Sequence, residues 1–208
     1  TRKESSAASD VYKRQALGSA LKQSNIERDE LFITSKLWND YQGYDQTIEY
    51  FNKSLDNLGL DYLDLFLIHW PCENDQLYIE SYKALEHLYE EGKIKAIGVC
   101  NFKIQHLEKL MRETKITPQV NQIELHPYFN QQDVQDFCDE HDIKVTAWMP
   151  LMRNKGLLDD PVITDIAHRY DKTPAQIVLR WHLAHNRIII PKSQTPQRIK
   201  ENLSLIHI

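Results

Sequence analysis

Two apolar runs in this sequence each close on a side chain that can hold a proton, and a tryptophan follows each of them. The first run ends in Lys36, with Trp38 two positions further on, and the second ends in His69 and Trp70. An imidazole titrates near neutral pH, and a positive charge beside an acid lowers the pKa of that acid. Two strands that end in this way indicate a site with proton chemistry and aromatic walls.

The ends of later apolar runs carry amides, a third tryptophan and a basic residue. In chain order they are Asn101 after Cys100, Gln122 with Glu124, Trp148, and Lys192 with Ser193. Each has a structural alternative, since a strand-end lysine is often solvated, a tryptophan often fills a core, and an amide often bonds loop backbone. Their joint occurrence at successive strand ends favours function, because barrel enzymes hold their active sites there.

Two other kinds of chemistry fit these residues poorly. Glycoside hydrolysis needs two facing carboxylates, but only Glu124 ends a strand, and the position expected for its partner holds Lys192. A metal site needs clustered ligands, and His126, His182 and His185 lack HExxH or Cys/His spacing, so no metal is predicted. What remains is carbonyl chemistry with a cofactor held by an aromatic ring, amides and a basic anchor.

The elements that carry these residues alternate between strands and helices. Strands are predicted at residues 31–36, 63–70, 94–101, 119–125, 143–148 and 187–190. Residues 16–24 are predicted to be the end of a helix, and Thr173 with Gln176 is predicted to form a capping box on a later one. The alternation is typical of a parallel sheet, and no glycine motif indicates a doubly wound nucleotide fold. The predicted fold class is α/β, an incomplete (β/α)8 TIM barrel with about six of its eight strands.

Composition excludes several classes of partner. The chain has 208 residues and a net charge of −5, without a long basic run, so neither nucleic acid nor an anionic membrane is expected as a partner. No apolar run reaches the roughly 20 residues that span a bilayer. The cysteines, Cys72, Cys100 and Cys138, are scattered, which indicates reduced thiols in a cytoplasmic protein. We expect a monomer that acts on a small-molecule carbonyl substrate.

Several motifs in one register, spanning residues 16–202, resemble the aldo-keto reductase family. They are residues 33–38 (ITSKLW), 67–71 (LIHWP), 98–102 (GVCNF), 121–127 (NQIELHP), 190–193 (IPKS) and 198–202 (RIKEN). The resemblance is to the NADPH-dependent, bacterial diketo-gluconate and aldehyde reductase type. It implies reduction of aldehydes or ketones by hydride transfer from the nicotinamide, with a tyrosine protonating the nascent alkoxide.

The resemblance also implies roles for the residues at the strand ends. Lys36 would lower the pKa of the catalytic tyrosine, His69 would orient the carbonyl, and Trp38 and Trp70 would wall the substrate pocket. The residues implied to bind NADPH would contact three parts of it: the nicotinamide, the 2′-phosphate and the adenine. They are Asn101 and Gln122 for the carboxamide, Trp148 for ring stacking, Lys192, Ser193 and Arg198 for the phosphate, and Glu201 and Asn202 for the adenine.

The start of the chain departs from the family pattern. Counted back in register, the family's tyrosine falls at Val11 and its aspartate at Ser6. Asp10 and Tyr12 lie two residues apart where the family needs five, so neither is assigned a catalytic role. The parent protein is therefore expected to be a reductase, and this chain to be nearly inactive.

Both ends of the chain resemble translated adapter sequence. Residues 1–15 are expected to be a non-native or disordered leader, residues 16–202 a partial aldo-keto reductase barrel, and residues 203–208 a non-native tail. The alternative function is a non-catalytic NADPH-binding barrel that serves as a regulatory or scaffold subunit.

Overall fold

The computed structural model describes the backbone of residues 6–205 and the side chains of residues 12–153 and 155–205. The chain divides into two compact units, Thr1–Gln119 and Val120–Ile208. Within the described residues, no helix is both long and apolar enough to cross a membrane.

The first unit alternates helices with three parallel strands. Its elements are α1 (Ser6–Gln23), β1 (Thr34–Leu37), α2 (Tyr44–Leu58), β2 (Leu65–Ile68), α3 (Asp75–Glu90), β3 (Ile97–Cys100) and α4 (Ile104–Glu113). In register, Lys36 of β1 lies opposite Leu67 of β2, and Phe66 of β2 lies opposite Ile97 of β3. All residues of β2 and β3 are buried, as a strand covered on both faces requires.

Two glycines allow the first two helices to approach each other. Gly59 follows α2 with φ 67°, and its N–H donates to the carbonyl of Leu55, which ends the helix. At Gly18 a Cβ atom would lie 2.7 Å from the carbonyl oxygen of Leu58, so only glycine permits this close approach of α1 to α2.

The buried carboxylate of Asp64 connects the residues that directly precede β1 and β2. It accepts the N–H of Ile33 at 2.8 Å and the Arg28 guanidinium at 2.8 Å, with Lys95 at 3.5 Å. Burial alone would raise the pKa of Asp64, but the N–H of Ile33 and the charges of Arg28 and Lys95 outweigh it and lower this pKa. The guanidinium also donates to two carbonyls and lies 3.9 Å from the Tyr62 ring centroid.

Replacing this carboxylate should destabilise the first unit. We expect Asp64→Ala to lower the free energy of unfolding by about 2–4 kcal/mol, because it leaves the Arg28 charge and the Ile33 N–H without their acceptor. Urea titration followed by circular dichroism measures this change. The matched control is Glu49→Ala, which breaks an exposed ion pair with Lys53 and should leave stability unchanged within error. If Asp64→Ala and Glu49→Ala lower the free energy of unfolding equally, Asp64 does not have this stabilising role.

The second unit contains three further parallel strands. Its elements are β4 (Val120–Glu124), α5 (Gln132–Glu140), β5 (Lys144–Trp148), α6 (Pro161–Tyr170), α7 (Pro174–Ala184), β6 (Ile188–Ile189) and α8 (Pro196–Leu203). β5 pairs with both β4 and β6. The capping box predicted for Thr173 and Gln176 is confirmed at the start of α7. Gln176 Nε2 also donates to the carbonyls of Glu201 and Ser204, which anchors the end of α8.

The boundaries of all six strands differ from the predicted ones, most of all at the first and the last strand. The strand predicted at 31–36 is Thr34–Leu37, and the one predicted at 187–190 is only Ile188–Ile189, because the exposed apolar residues beside them, Phe32 and Ile190, lie outside the paired stretches. The first helix runs from Ser6 to Gln23, so it extends into the stretch for which the sequence showed no periodicity, and Arg14 and Gln15 within that stretch bond to polar side chains. The native or foreign origin of residues 1–15 and 203–208 stays a prediction.

His182 is a fully buried histidine in α7. Burial lowers the pKa of His182 to about 4, the carbonyl of Pro150 opposes this shift, and the positive charge of Arg187 adds to it. The ring is therefore neutral in the folded protein at neutral pH.

The neutral His182 should make stability fall on acidification. Its folded pKa lies below the unfolded value near 6.5, so the unfolded chain gains a proton first as the pH drops. We expect a loss approaching about 3 kcal/mol between about pH 6.5 and about pH 4, measured by urea titration at a series of pH values. His182→Leu should flatten this slope, whereas the exposed His168→Gln should keep it. If the stability of His182→Leu fell with pH as steeply as that of the unmodified chain, other titratable groups would cause the pH dependence.

Candidate active site

The pairing of β1 with β2 brings Lys36 and His69 to the carboxyl ends of two neighbouring strands of the first unit. Leu37 lies opposite Ile68, and the N–H of His69 donates to the carbonyl of Leu37 at 3.0 Å. Since the strands are parallel, both side chains leave from carboxyl ends, as predicted. Both are half-buried and line one cavity of about 280 Å³.

The two predicted substrate-pocket tryptophans differ in their surroundings. The Trp38 ring stands edge-on to the His69 ring, with centroids 4.9 Å apart and planes at 79°. This contact restricts the rotation of the imidazole. Trp70 is 41% exposed, and its carbonyl accepts the Gln42 side-chain amide at 2.8 Å. The sequence analysis did not anticipate the contact of Trp38 with His69.

Asn101 links the end of β3 to the end of β2. Its backbone is left-handed, with φ 62°, a conformation that asparagine tolerates better than most residues. Its Nδ2 donates to the carbonyl of His69 at 3.1 Å. The amide predicted to hold a carboxamide therefore also fixes the backbone that carries the imidazole.

Cys100 lies within electrostatic reach of Lys36. Burial raises the pKa of the Cys100 thiol to about 12, and the positive charge of Lys36 only partly opposes this rise. The thiol is therefore neutral at physiological pH and leaves the ammonium charge uncompensated.

Thiol reactivity tests this environment. With a colorimetric disulfide reagent at mildly alkaline pH, we expect one fast thiol, Cys72, which is half-buried, and two slow ones, since burial raises the pKa of Cys138 to about 11 and that of Cys100 further. Cys72→Ser should abolish the fast phase and Cys138→Ser should leave it. A fast phase from two thiols in the folded protein contradicts the burial of Cys100.

Arg14 is a site residue that the sequence analysis missed. Its guanidinium donates to the Lys36 carbonyl at 3.4 Å, to Ser35 Oγ at 3.3 Å and to Tyr50 Oη at 2.6 Å. Arg14 lies 21 to 36 residues before these partners in the chain. No local motif signals such contacts, because they depend on how α1 packs.

The second unit carries the other predicted cofactor residues. Gln122 is buried at 6% exposure within β4, and the Trp148 ring is half-buried at the end of β5. Ser193 Oγ accepts the N–H of Thr195 at 3.1 Å just before α8. Lys192 and Arg198 are exposed before and within the first turns of that helix.

The remaining predicted residues, Glu201 and Asn202, lie on α8. Glu201 Oε1 accepts Gln197 Nε2 at 3.3 Å, and Asn202 lines a cavity of about 450 Å³ with Arg180 and Pro191. Among the described side chains, no group of three or more His, Cys, Asp or Glu is placed to hold a metal ion.

The comparisons with known proteins agree with this arrangement. The model of the aldo/keto reductase family matches residues 8–208. The chain belongs to the aldo/keto reductase family. Glyoxal reductase of Bacillus subtilis (strain 168) is 48% identical over 196 residues, which cover 94% of this chain and 70% of that protein. Methylglyoxal reductase DkgA of Escherichia coli (strain K12) is 48% identical over 197 residues, covering 94% and 71%.

Solved aldo/keto reductases share the fold. An aldo/keto reductase from Brucella melitensis superimposes with a TM-score of 0.91 at 47% identity, over 94% of this chain and 75% of that one. A mutant of Gox0644 in complex with NADPH gives a TM-score of 0.89 at 43% identity, over 94% and 70%. The prediction of an incomplete (β/α)8 barrel with six parallel strands is thereby confirmed, as is the resemblance to this family of oxidoreductases.

Two family positions carry no side-chain description in this aldo/keto reductase chain. The register of the sequence predicts the family's aspartate and tyrosine positions at Ser6 and Val11, and the side chains of both residues lie outside the described ones. Tyr12, which is described, is 71% exposed. This exposure gives no support to a catalytic role for Tyr12.

Proposed function

We propose that this chain derives from an enzyme that reduces small aldehydes and ketones to alcohols with NADPH. The observation that carries the proposal is the convergence of Lys36 and His69 on one cavity at adjacent strand ends. Relatives named glyoxal and methylglyoxal reductases, at 48% identity, support small carbonyl compounds as the substrate class.

We infer the roles of the two central residues from their chemistry. The imidazole of His69, held edge-on by Trp38, donates a hydrogen bond to the carbonyl oxygen and orients it. The ammonium of Lys36 favours the phenolate form of a neighbouring tyrosine, whose pKa of about 10 must fall for proton exchange near neutrality. Trp38 and Trp70 wall the substrate pocket.

The residues of the second unit fit a phosphorylated dinucleotide. Lys192 and Arg198 present exposed cationic groups, with Ser193 between them, at the N-terminal end of α8, where a phosphate is favoured. Gln122 offers a buried amide and Trp148 a flat ring. Glu201 and Asn202 are assigned to the adenine, and Asn101 of the first unit to the carboxamide. NADPH, when bound, supplies the hydride.

We expect this chain to lack the proton donor, because the sequence register puts Val11 at the position of the family's catalytic tyrosine. The test is Ser6→Asp with Val11→Tyr in the full chain, assayed by loss of NADPH absorbance with methylglyoxal. We expect the unmodified chain to stay near background and the double variant to gain about a hundredfold or more, the contribution of a placed general acid. Normal enzyme rates from the unmodified chain would contradict the assignment of position 11.

Substitutions in the double variant test the two proposed catalytic residues. Lys36→Met and His69→Gln should each remove about a hundredfold or more of the gained rate. The matched control is Lys53→Met, an exposed lysine on α2 that should leave the rate unchanged. Activity that survives Lys36→Met at full level would remove the amine from the mechanism.

The second candidate is a cofactor-binding barrel without turnover, and the valine at position 11 favours it. In that case NADPH fluorescence would change on binding, whereas the double variant would stay inactive with every aldehyde. We also propose that the protein is a monomer and that it lies in the cytoplasm, where a reducing environment fits its three free cysteines.

A further inference from the structure

The cavity beside Lys36 and His69 has positively charged walls. Lys13, Arg14 and Lys36 all line it, and its described lining residues include no aspartate or glutamate. The other walls are leucines and hydroxyl side chains in addition to His69. A volume of about 280 Å³ with this lining is suited to a small, negatively charged ligand.

Arg14 is oriented toward this cavity by neutral partners. Its Nη2 donates to Tyr50 Oη and to the Lys36 carbonyl, its Nε donates to Ser35 Oγ, and its Cζ lies 4.8 Å from the Tyr50 ring centroid. None of these acceptors carries a negative charge. The guanidinium is therefore fixed in place without compensation of its charge by the described residues.

Lys36 is also without a described counter-ion. In the part of the chain whose side chains the structure describes, no carboxylate forms an ion pair with it, and the buried Cys100 thiol in its field is protonated. Two uncompensated cations at one cavity repel each other, and an anion between them relieves this repulsion. The bonds of Arg14 use its Nε and Nη2, so its Nη1 is left to donate a charge-assisted hydrogen bond to an oxygen of a carboxylate or phosphate.

We propose that this cavity binds a small oxoanion, a carboxylate or a phosphate, through Arg14 and Lys36. The proposal does not depend on turnover or on NADPH, and its ligand lies against Arg14, which the proposed reductase mechanism does not use.

Isothermal titration calorimetry of the full chain without NADPH tests the proposal. Sodium oxalate and inorganic phosphate are titrated separately in a chloride buffer of fixed ionic strength. We expect saturable binding of one anion per chain, and a dissociation constant at least about tenfold higher in Arg14→Gln, since a charge-assisted hydrogen bond is lost. The matched control is Arg169→Gln, which removes an exposed arginine paired with Asp165 and should bind as the unmodified chain does.

The outcomes separate the possible sources of the anion. Saturable binding of oxalate alone supports a carboxylate ligand, and saturable binding of phosphate alone supports a phosphate. No saturable heat with either anion, or equal binding by Arg14→Gln and the unmodified chain, overturns the proposal. If circular dichroism shows Arg14→Gln to be unfolded, Lys36→Met decides instead, since it removes the second cation from β1 and should weaken binding to a similar degree.

Discussion

Parallel pairing of β1 with β2 is the constraint on which the candidate site depends. The pairing sets Lys36 opposite Leu67 and lets the N–H of His69 bond the carbonyl of Leu37. A shift by one residue would turn Lys36 to the opposite face of the sheet and separate it from the imidazole. Asp64 reinforces the register from the other end of the strands, because its carboxylate holds the Ile33 N–H and the Arg28 guanidinium together.

Around His69, three independent contacts converge on one short segment. The ring meets the edge of Trp38, the carbonyl accepts the Asn101 amide, and the N–H is used in pairing with β1. Such support limits the freedom of the imidazole before any ligand arrives, which is what positioning a carbonyl requires. The unusual backbone of Asn101, at positive φ, is consistent with a residue selected for its contacts at this point.

Electrostatics of the first unit distinguish its interior from its cavity. The buried carboxylate Asp64 has two cationic neighbours, whereas the ammonium of Lys36 faces a protonated thiol and the guanidinium of Arg14 faces neutral oxygens. The paired charge of Asp64 therefore stabilises the fold, whereas the unpaired positive charges of Lys36 and Arg14 lie at the cavity, which ligands can enter. The buried His182 of the second unit is kept neutral instead, because burial lowers its pKa.

The sequence by itself determined the family, the order of the elements and the residues at the strand ends, because apolar periodicity, caps and short motifs are local properties of the chain. It placed Lys36 and His69 on neighbouring strands and anticipated the capping box of Thr173 and Gln176 correctly. Only the tertiary structure revealed the edge contact of Trp38 with His69, the bond from Asn101 to the His69 carbonyl and the entry of Arg14 into the cavity. These contacts join residues about 20 to 40 positions apart, and their geometry follows from helix packing and strand register, which no local pattern encodes.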